Sequence, residues 1–214
     1  MDTKATFKKT WDFLWHSDST WSWLANLAIA FLLIKFIIYP GLGLLLGTNY
    51  PIVAVLSESM EHGLHNQRLC GEKLDDFKDS FPNYWENCGD WYENNNLQQQ
   101  QFQKFPFKQG LNKGDIVIVW RAKPEKIQIG DVLIFQGNKP QPIIHRLVKK
   151  WEAQGQFYFQ TKGDHNDKSS SSIPETKISE NRLLGKGILR IPYLGWIKIA
   201  FVEAVKPLGW TITK

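Results

Sequence analysis

Residues 22–46 form a nearly unbroken apolar run of 25 residues, and no other feature of the sequence limits the fold as strongly. A helix of this length reaches about 37 Å, enough to cross a hydrocarbon core of roughly 30 Å with some tilt. Lys35 interrupts the run, and Pro40 weakens the helix near its end. We predict a transmembrane anchor. Two alternatives are a cleaved signal peptide and two shorter apolar pieces bent at Tyr39 and Pro40.

The tail 1–21 indicates how the anchor is oriented. It carries Lys4, Lys8 and Lys9, and positive charge next to a span favours the cytoplasmic side. We therefore expect a single-pass protein of the cell membrane, with the N-terminus in the cytoplasm and the body outside.

Charge is spread unevenly along the chain, whose formal net charge is +5. The segment 61–108 carries eight acidic and five basic side chains, so the positive excess lies elsewhere. A basic body beside a membrane favours anionic lipid as its partner. We expect no nucleic-acid partner, because zinc-finger spacing, a phosphate-binding loop and an aromatic-interleaved basic stretch are all missing from the sequence.

The rest of the chain is dominated by short β-branched and aromatic runs separated by Gly, Pro and Asn. These runs are 52–56, 115–120, 131–135, 143–148, 157–161 and 183–191. Without helical periodicity between them, they predict a mainly β fold: a transmembrane helix followed by an antiparallel, barrel-like or folded sheet. Gly114-Asp115 and Gly130-Asp131 look like two versions of one turn leading into a strand.

This pattern divides the chain into five parts. The tail 1–21 and anchor 22–46 precede a β-rich body, 47–60 and 109–192, which is interrupted by an insertion, 61–108. The last segment, 193–214, is apolar but too short to span, so we expect it to rest at the membrane interface.

The insertion contains both cysteines of the chain, Cys70 and Cys88. A local disulfide is reasonable if the body lies outside the cell. A metal site with His62 and His65, or two free thiols, are the alternatives, although the spacing matches no standard zinc pattern. Helical character is expected at 72–78 and near 97–102.

Three separated sequence features together suggest hydrolytic chemistry. Ser57 and Ser59 follow the first strand on the far side of the anchor, and a serine hydroxyl needs a neighbouring base to become a nucleophile. His145 lies within a strand-like run, where a general base is held rigidly. The turn 161–167 supplies Asp164 and Asp167, either of which can orient an imidazole. Each feature alone has an ordinary structural explanation.

Five short segments resemble the conserved boxes of type I signal peptidases, in the archaeal and endoplasmic-reticulum branch that uses His where bacterial enzymes use Lys. The similar segments are VLSESME at 55–61, GDIV at 114–117, GDVL at 130–133, IHRL at 144–147 and TKGD at 161–164. The serine box departs from the family pattern, since Glu58 replaces the commoner Gly, and the insertion 61–108 resembles some archaeal versions.

The resemblance implies a role for each matching residue. Ser59 is the nucleophile, His145 its general base, and Ser57 an oxyanion donor beside the Ser59 N–H. Asp167 is the favoured acid and Asp164 a supporting one, although their spacing is shorter than the family's. Neither a cofactor nor a metal is implied.

The implied activity is that of a membrane serine endopeptidase acting on the signal peptides of exported preproteins, at small-residue sites. An extended substrate segment would pair with the edge of the first strand. The residues expected to contact the substrate are Ile52, Val53, Val55 and Ile144. The sequence specifies no partner subunit of a complex. Two rival hypotheses are a membrane-tethered β-domain that binds a partner without catalysis, and a self-cleaving repressor-type protease, against which the anchor argues.

Overall fold

The structure is a computed structural model that describes residues 3–205. The chain forms two compact units, one ending at Leu45 and the other beginning at Leu46. In the first unit, α1 (Thr3–His16) is followed by α2 (Thr20–Leu33), whose N-terminus is capped by the Ser19 side chain. The Ser22 hydroxyl donates to the Phe13 carbonyl and ties the two helices together.

The apolar run is helical throughout. Helix α2 continues through a π-helical turn (Ile34–Ile38) into α3 (Tyr39–Leu46). The π turn ends just before Pro40, and the Tyr39 N–H donates to the Ile34 carbonyl. Pro40 has no N–H to donate, yet the helix continues past it to Leu46, so two separate pieces are not formed. Among residues 3–205, Thr20–Leu46 is the one helix long and apolar enough to cross a membrane.

The second unit is built on a seven-stranded antiparallel sheet, which confirms the predicted mainly β class. The strand order is β1-β4-β9-β5-β6-β7-β8, and a separate β2-β3 hairpin lies in the insertion. The strands are β1 (Ile52–Ala54), β2 (Arg68–Leu69), β3 (Glu72–Lys73), β4 (Ile116–Trp120), β5 (Val132–Phe135), β6 (Ile143–Ala153), β7 (Gln156–Lys162), β8 (Ile178–Ser179) and β9 (Leu183–Ile191). All six predicted runs contain strands.

The two Gly-Asp turns are built alike. Gly114 and Gly130 have φ angles of +89° and +93°, a backbone conformation that residues other than glycine rarely adopt. Each following aspartate is buried and accepts a backbone N–H from three residues earlier, Asn112 for Asp115 and Gln128 for Asp131. Strand β9 supplies the countercharges, Arg190 to Asp115 and Lys186 to Asp131. These turns fix where β4 and β5 begin.

The insertion has its own aromatic core. Helices α4 (Phe81–Asn94) and α5 (Gln99–Phe102) bury Tyr84, Tyr92 and Phe102, and Cys70 is joined to Cys88 by a disulfide. The helix expected at 72–78 is wrong: β3 begins there, and the longer helix starts at Phe81 after the Ser80 cap.

Helix α6 (Trp196–Val205) follows the last strand. Its N-terminal end rests on the Gly114 turn, where a side chain at position 114 would collide with the Trp196 ring. Much of the apolar surface here is exposed, at Tyr193, Leu194, Trp196, Ile197 and Phe201. The rest of the predicted interface segment, 206–214, lies outside the described residues.

Candidate active site

Ser59 and His145 meet at one end of the sheet. Ser59 lies in the loop that follows β1, and its Oγ is 3.1 Å from Nε2 of His145. His145 sits on β6 opposite Leu133 of β5, and its side chain is buried. A paired interior strand holds the imidazole firmly while leaving Nε2 facing the serine. The structure therefore brings together the two residues that the sequence predicted as nucleophile and base.

Glu175 holds the other side of the imidazole. Its Oε2 lies 2.5 Å from Nδ1 of His145, and its side chain is fully buried. The backbone N–H of Ser170 donates to Oε1, and the Thr161 N–H donates to the Glu175 carbonyl at 2.8 Å. Serine, histidine and carboxylate thus form a continuous hydrogen-bonded chain, the arrangement that activates a serine hydroxyl.

Asp164, one of the two aspartates predicted as the acid, is held elsewhere. It is fully buried and receives hydrogen bonds from Arg146 at 2.6 and 2.9 Å, from His62 at 3.0 Å and from the Tyr92 hydroxyl at 3.1 Å. Burial alone would raise the pKa of Asp164, but the Arg146 charge and the hydrogen bonds from His62 and Arg146 outweigh it and hold the pKa well below its usual range. Asp164 therefore anchors the turn as a carboxylate.

Asp167, the favoured acid in the sequence prediction, is exposed. Its carboxylate accepts the Lys168 N–H at 2.9 Å and lies 3.8 Å from Lys168 Nζ. The structure thus brings neither predicted aspartate to His145. Glu175 was missed because it follows a Ser-rich loop with no spacing signal. Only its fully buried position beside His145 reveals it.

Ser57 lies next to the nucleophile. The two hydroxyl oxygens, Oγ of Ser57 and Oγ of Ser59, are 3.1 Å apart, and Ser57 is exposed to solvent. Glu58, between them, pairs with Lys113 at 2.8 Å, and the hydrogen bond from Lys113 lowers the pKa of Glu58. The residue that departs from the family pattern therefore ties the serine loop to the turn before β4.

The turn after β7 supports the Ser59 backbone. The His165 N–H donates to the Ser59 carbonyl at 3.0 Å. On the insertion side, the Cys70 N–H donates to the His165 carbonyl at 3.0 Å and the Tyr84 hydroxyl donates to the Asp164 carbonyl at 2.9 Å. Through these bonds the insertion contacts the site.

Lys162 is buried at the base of this turn. Its Nζ donates to the carbonyls of Gly163 at 3.2 Å and Asp164 at 3.3 Å. Burial lowers the pKa of Lys162 to about 8, because desolvation disfavours the charged form even with Asp164 nearby. The turn is thus held by a charged group whose protonation changes just above neutral pH.

The four residues predicted to contact substrate occupy different environments. Val53, Val55 and Ile144 are buried in the sheet core, while Ile52 is half-buried. Strand β1 lies at one edge of the seven-stranded sheet, where its neighbour is β4. The register sets Val53 opposite Val117, so the backbone groups of Ile52 and Ala54 point away from β4. The open edge therefore offers backbone hydrogen bonds rather than the valine side chains.

The part of the chain that the structure describes contains no group of three or more His, Cys, Asp or Glu side chains arranged to hold a metal ion. Of the four residues considered as metal ligands, Cys70 and Cys88 are in the disulfide and His62 pairs with Asp164. His65 instead lies close to Asn66, at 2.9 Å.

No protein-family model matches the chain. Several curated proteins are similar to the chain in sequence. A protein of Colletotrichum graminicola named signal peptidase complex catalytic subunit SEC11 is 26% identical over 98 residues, which cover 44% of this chain and 57% of that protein. The chain thus spans little more than half the length of that relative. The protein of the same name from Schizosaccharomyces pombe is 36% identical over 78 residues, 34% of this chain and 41% of its own.

A third relative is matched along most of its length. The Komagataella phaffii protein of the same name is 25% identical over 190 residues, which cover 84% of this chain and 82% of that protein. Similarity of this extent agrees with the serine, histidine and Gly-Asp boxes and with the β-rich body behind an apolar helix. The chain is therefore similar to the catalytic subunits of signal peptidase complexes, which are type I signal peptidases.

Proposed function

We propose that this chain is a membrane-bound serine endopeptidase that removes signal peptides from exported preproteins at small-residue cleavage sites. The observation that carries the proposal is the chain of contacts from Ser59 through His145 to the buried Glu175. A protease of the Ser-His-carboxylate type has a base on the hydroxyl and a carboxylate on the far side of that base, and these three side chains fit both roles.

In this mechanism Ser59 Oγ attacks the scissile carbonyl carbon while His145 Nε2 accepts its proton. Glu175 orients the ring and stabilises the imidazolium that forms. The Ser59 N–H and the Ser57 hydroxyl donate to the oxyanion. His145 then gives the proton to the leaving amine, which releases the mature protein. A water molecule, activated by His145 in the same way, hydrolyses the acyl-enzyme and frees the signal peptide.

Substrate would bind as an added strand on the open edge of β1. Backbone groups of Ile52 and Ala54 supply the hydrogen bonds, and the exposed Leu56 leads from this edge to Ser59. The apolar part of the signal peptide stays in the bilayer beside the anchor 20–46.

We infer that the body lies outside the cytoplasm. Lys4, Lys8 and Lys9 support a cytoplasmic tail, and the disulfide of the insertion supports an oxidising compartment for the body. The exposed apolar face of α6 fits contact with the membrane interface. The relatives are named as subunits of a complex, which supports further subunits for this chain as well.

The proposal is tested with full-length protein in liposomes, a preprotein substrate and sequencing of the product's N-terminus. We expect Ser59→Ala and His145→Ala to abolish cleavage while keeping the circular dichroism spectrum and melting profile. His16→Ala, which changes an exposed histidine ahead of the anchor, serves as the matched control and keeps full activity. Normal processing by Ser59→Ala protein would favour the rival hypothesis of a non-catalytic binding domain.

A further inference from the structure

The surroundings of His145 define the side on which the leaving group departs. The leaving amine takes its proton from Nε2, so its nitrogen lies within hydrogen-bond reach of that atom. Gly163 borders this space: a Cβ at position 163 would lie 2.9 Å from His145 Nε2 and 2.7 Å from the Ser59 carbonyl oxygen. Glycine therefore lets the backbone of this turn pack directly against Ser59 and His145, and the turn that begins at Gly163 forms one boundary of the leaving side.

An open cleft of about 580 Å³ lies directly beyond this turn. One wall is the loop 165–172, and the other is the insertion segment around the β2-β3 hairpin, including His65, Arg68 and Gly71. We call it the leaving-side cleft. The Cys70–His165 backbone hydrogen bond joins its two walls.

The loop wall is tied to the active site at two points. The His165 N–H donates to the Ser59 carbonyl, and the Ser170 N–H donates to the carboxylate of Glu175. The lining of the cleft is therefore joined to the catalytic groups through the backbone hydrogen bonds of His165 and Ser170.

The chemistry of the cleft favours an acidic guest. Arg68 and Lys168 are exposed cations and Asp167, 3.8 Å from Lys168, is the acidic residue of the lining, so two positive charges face one negative charge and Arg68 is left without a partner in the lining. His65 and His165 add imidazoles, and a run of serines, 169–172, adds hydroxyl donors. Carboxylate side chains on an extended segment would gain charge-assisted hydrogen bonds from such a lining.

We propose that the leaving-side cleft binds the first residues of the mature protein, after the scissile bond, and that it selects for acidic side chains among them. This inference rests on the proposed function, since it concerns a substrate that Ser59 cleaves. It gives the insertion a role in specificity, because Arg68 belongs to the insertion and not to the sheet.

The test compares two preproteins with the same signal peptide and the same cleavage site. One has Asp and Glu at the second to fourth positions after the bond, and the other has the matching amides. We expect kcat/KM of the wild-type protein to be about threefold to fivefold higher for the acidic substrate, the range of exposed ion pairs, and the ratio to fall as salt is added.

Variants locate the effect. Arg68→Glu should bring the ratio of acidic to amide substrate to one or below, whereas Lys123→Glu, the same change at an exposed lysine outside the cleft lining, should keep the wild-type ratio. Equal rates on both substrates for the wild type, or equal effects of the two variants, overturn the inference and leave the proposed function standing. Cleavage of neither substrate by the wild type overturns both.

Discussion

Glu175 Oε2 lies 2.5 Å from His145 Nδ1, so the imidazole of His145 is held from two independent elements. Strand β6 fixes its backbone, and the loop between β7 and β8 fixes its ring. Both side chains are buried, and a hydrogen bond to a charged partner is strong where water is excluded. The tautomer with the proton on Nδ1 leaves Nε2 free to accept the proton of Ser59.

Replacing Glu175 by Gln tests which acid serves His145. The amide retains the size of the carboxylate but loses the charge that stabilises the imidazolium, so we expect kcat to fall about 10³-fold to 10⁴-fold. Steady-state cleavage of a preprotein in liposomes measures this fall in kcat. Asp167→Asn, measured in parallel, should retain a kcat far above that of Glu175→Gln. The reverse order would restore Asp167 as the catalytic acid.

Asp164→Asn should act on stability. The change leaves the fully buried Arg146 without its charged partner, which typically lowers the free energy of unfolding by about 3 to 5 kcal/mol. Denaturant unfolding of the full chain in detergent, followed by tryptophan fluorescence, measures the loss. Asp167→Asn, at an exposed position, should change the free energy of unfolding by less than about 0.5 kcal/mol. Equal stabilities of the two variants would contradict a structural role for Asp164.

Lys162 makes stability depend on pH. Its pKa is about 8 in the folded protein and about 10.4 in an unfolded chain, so between these values the unfolded state binds more protons. The free energy of unfolding should therefore rise with pH over this window, by about 1 to 2 kcal/mol between pH 8 and 9.5. Below about pH 7 this contribution is flat, because Lys162 is protonated in both states.

Unfolding at pH 8.0 and 9.5 measures this rise. Lys162→Met removes the titrating group, so its free energy of unfolding should increase less over the same interval than that of the wild type. A variant with the wild-type increase would show that another group is responsible.

The Glu58–Lys113 pair offers a test of how firmly the serine loop must be held. The pair is partly exposed, so breaking it should lower the free energy of unfolding by less than about 1 kcal/mol. Because it borders Ser59, we expect Glu58→Gln to lower kcat about twofold to fivefold. The charge-swapped double variant, Glu58→Lys with Lys113→Glu, should recover most of that loss, and failure to recover would separate the kcat effect from the pairing.

Residues with a local signal could be predicted from the sequence. The strands around Ser59, His145, Asp115 and Asp131 have apolar, β-branched runs, which correspond to β1, β4, β5 and β6, and those of β4 and β5 are entered through the glycine turns at Gly114 and Gly130. Glu175 has no such signal: its position depends on how an irregular loop folds back from β7, which is set by tertiary contacts such as the bond between Thr161 and Glu175.

The insertion shows the same limit. A partly helical segment is predicted at 72–78, yet β3 begins there and pairs with β2 as a short hairpin, and the longer helix is α4. Burial of Tyr84 and Tyr92 against Asp164 and Phe102 decides this arrangement, and partners so distant in the chain leave no trace in local periodicity. Tertiary packing outweighs local propensity at such positions.

The catalytic groups are also far apart along the chain: 86 residues separate Ser59 from His145, and 30 more separate His145 from Glu175. During synthesis the nucleophile emerges long before its base and its acid, and it is an ordinary serine until β5, β6 and β7 have paired and the loop after them has closed. Under the proposed function, completion of the fold is thus the step that turns Ser59 into a nucleophile.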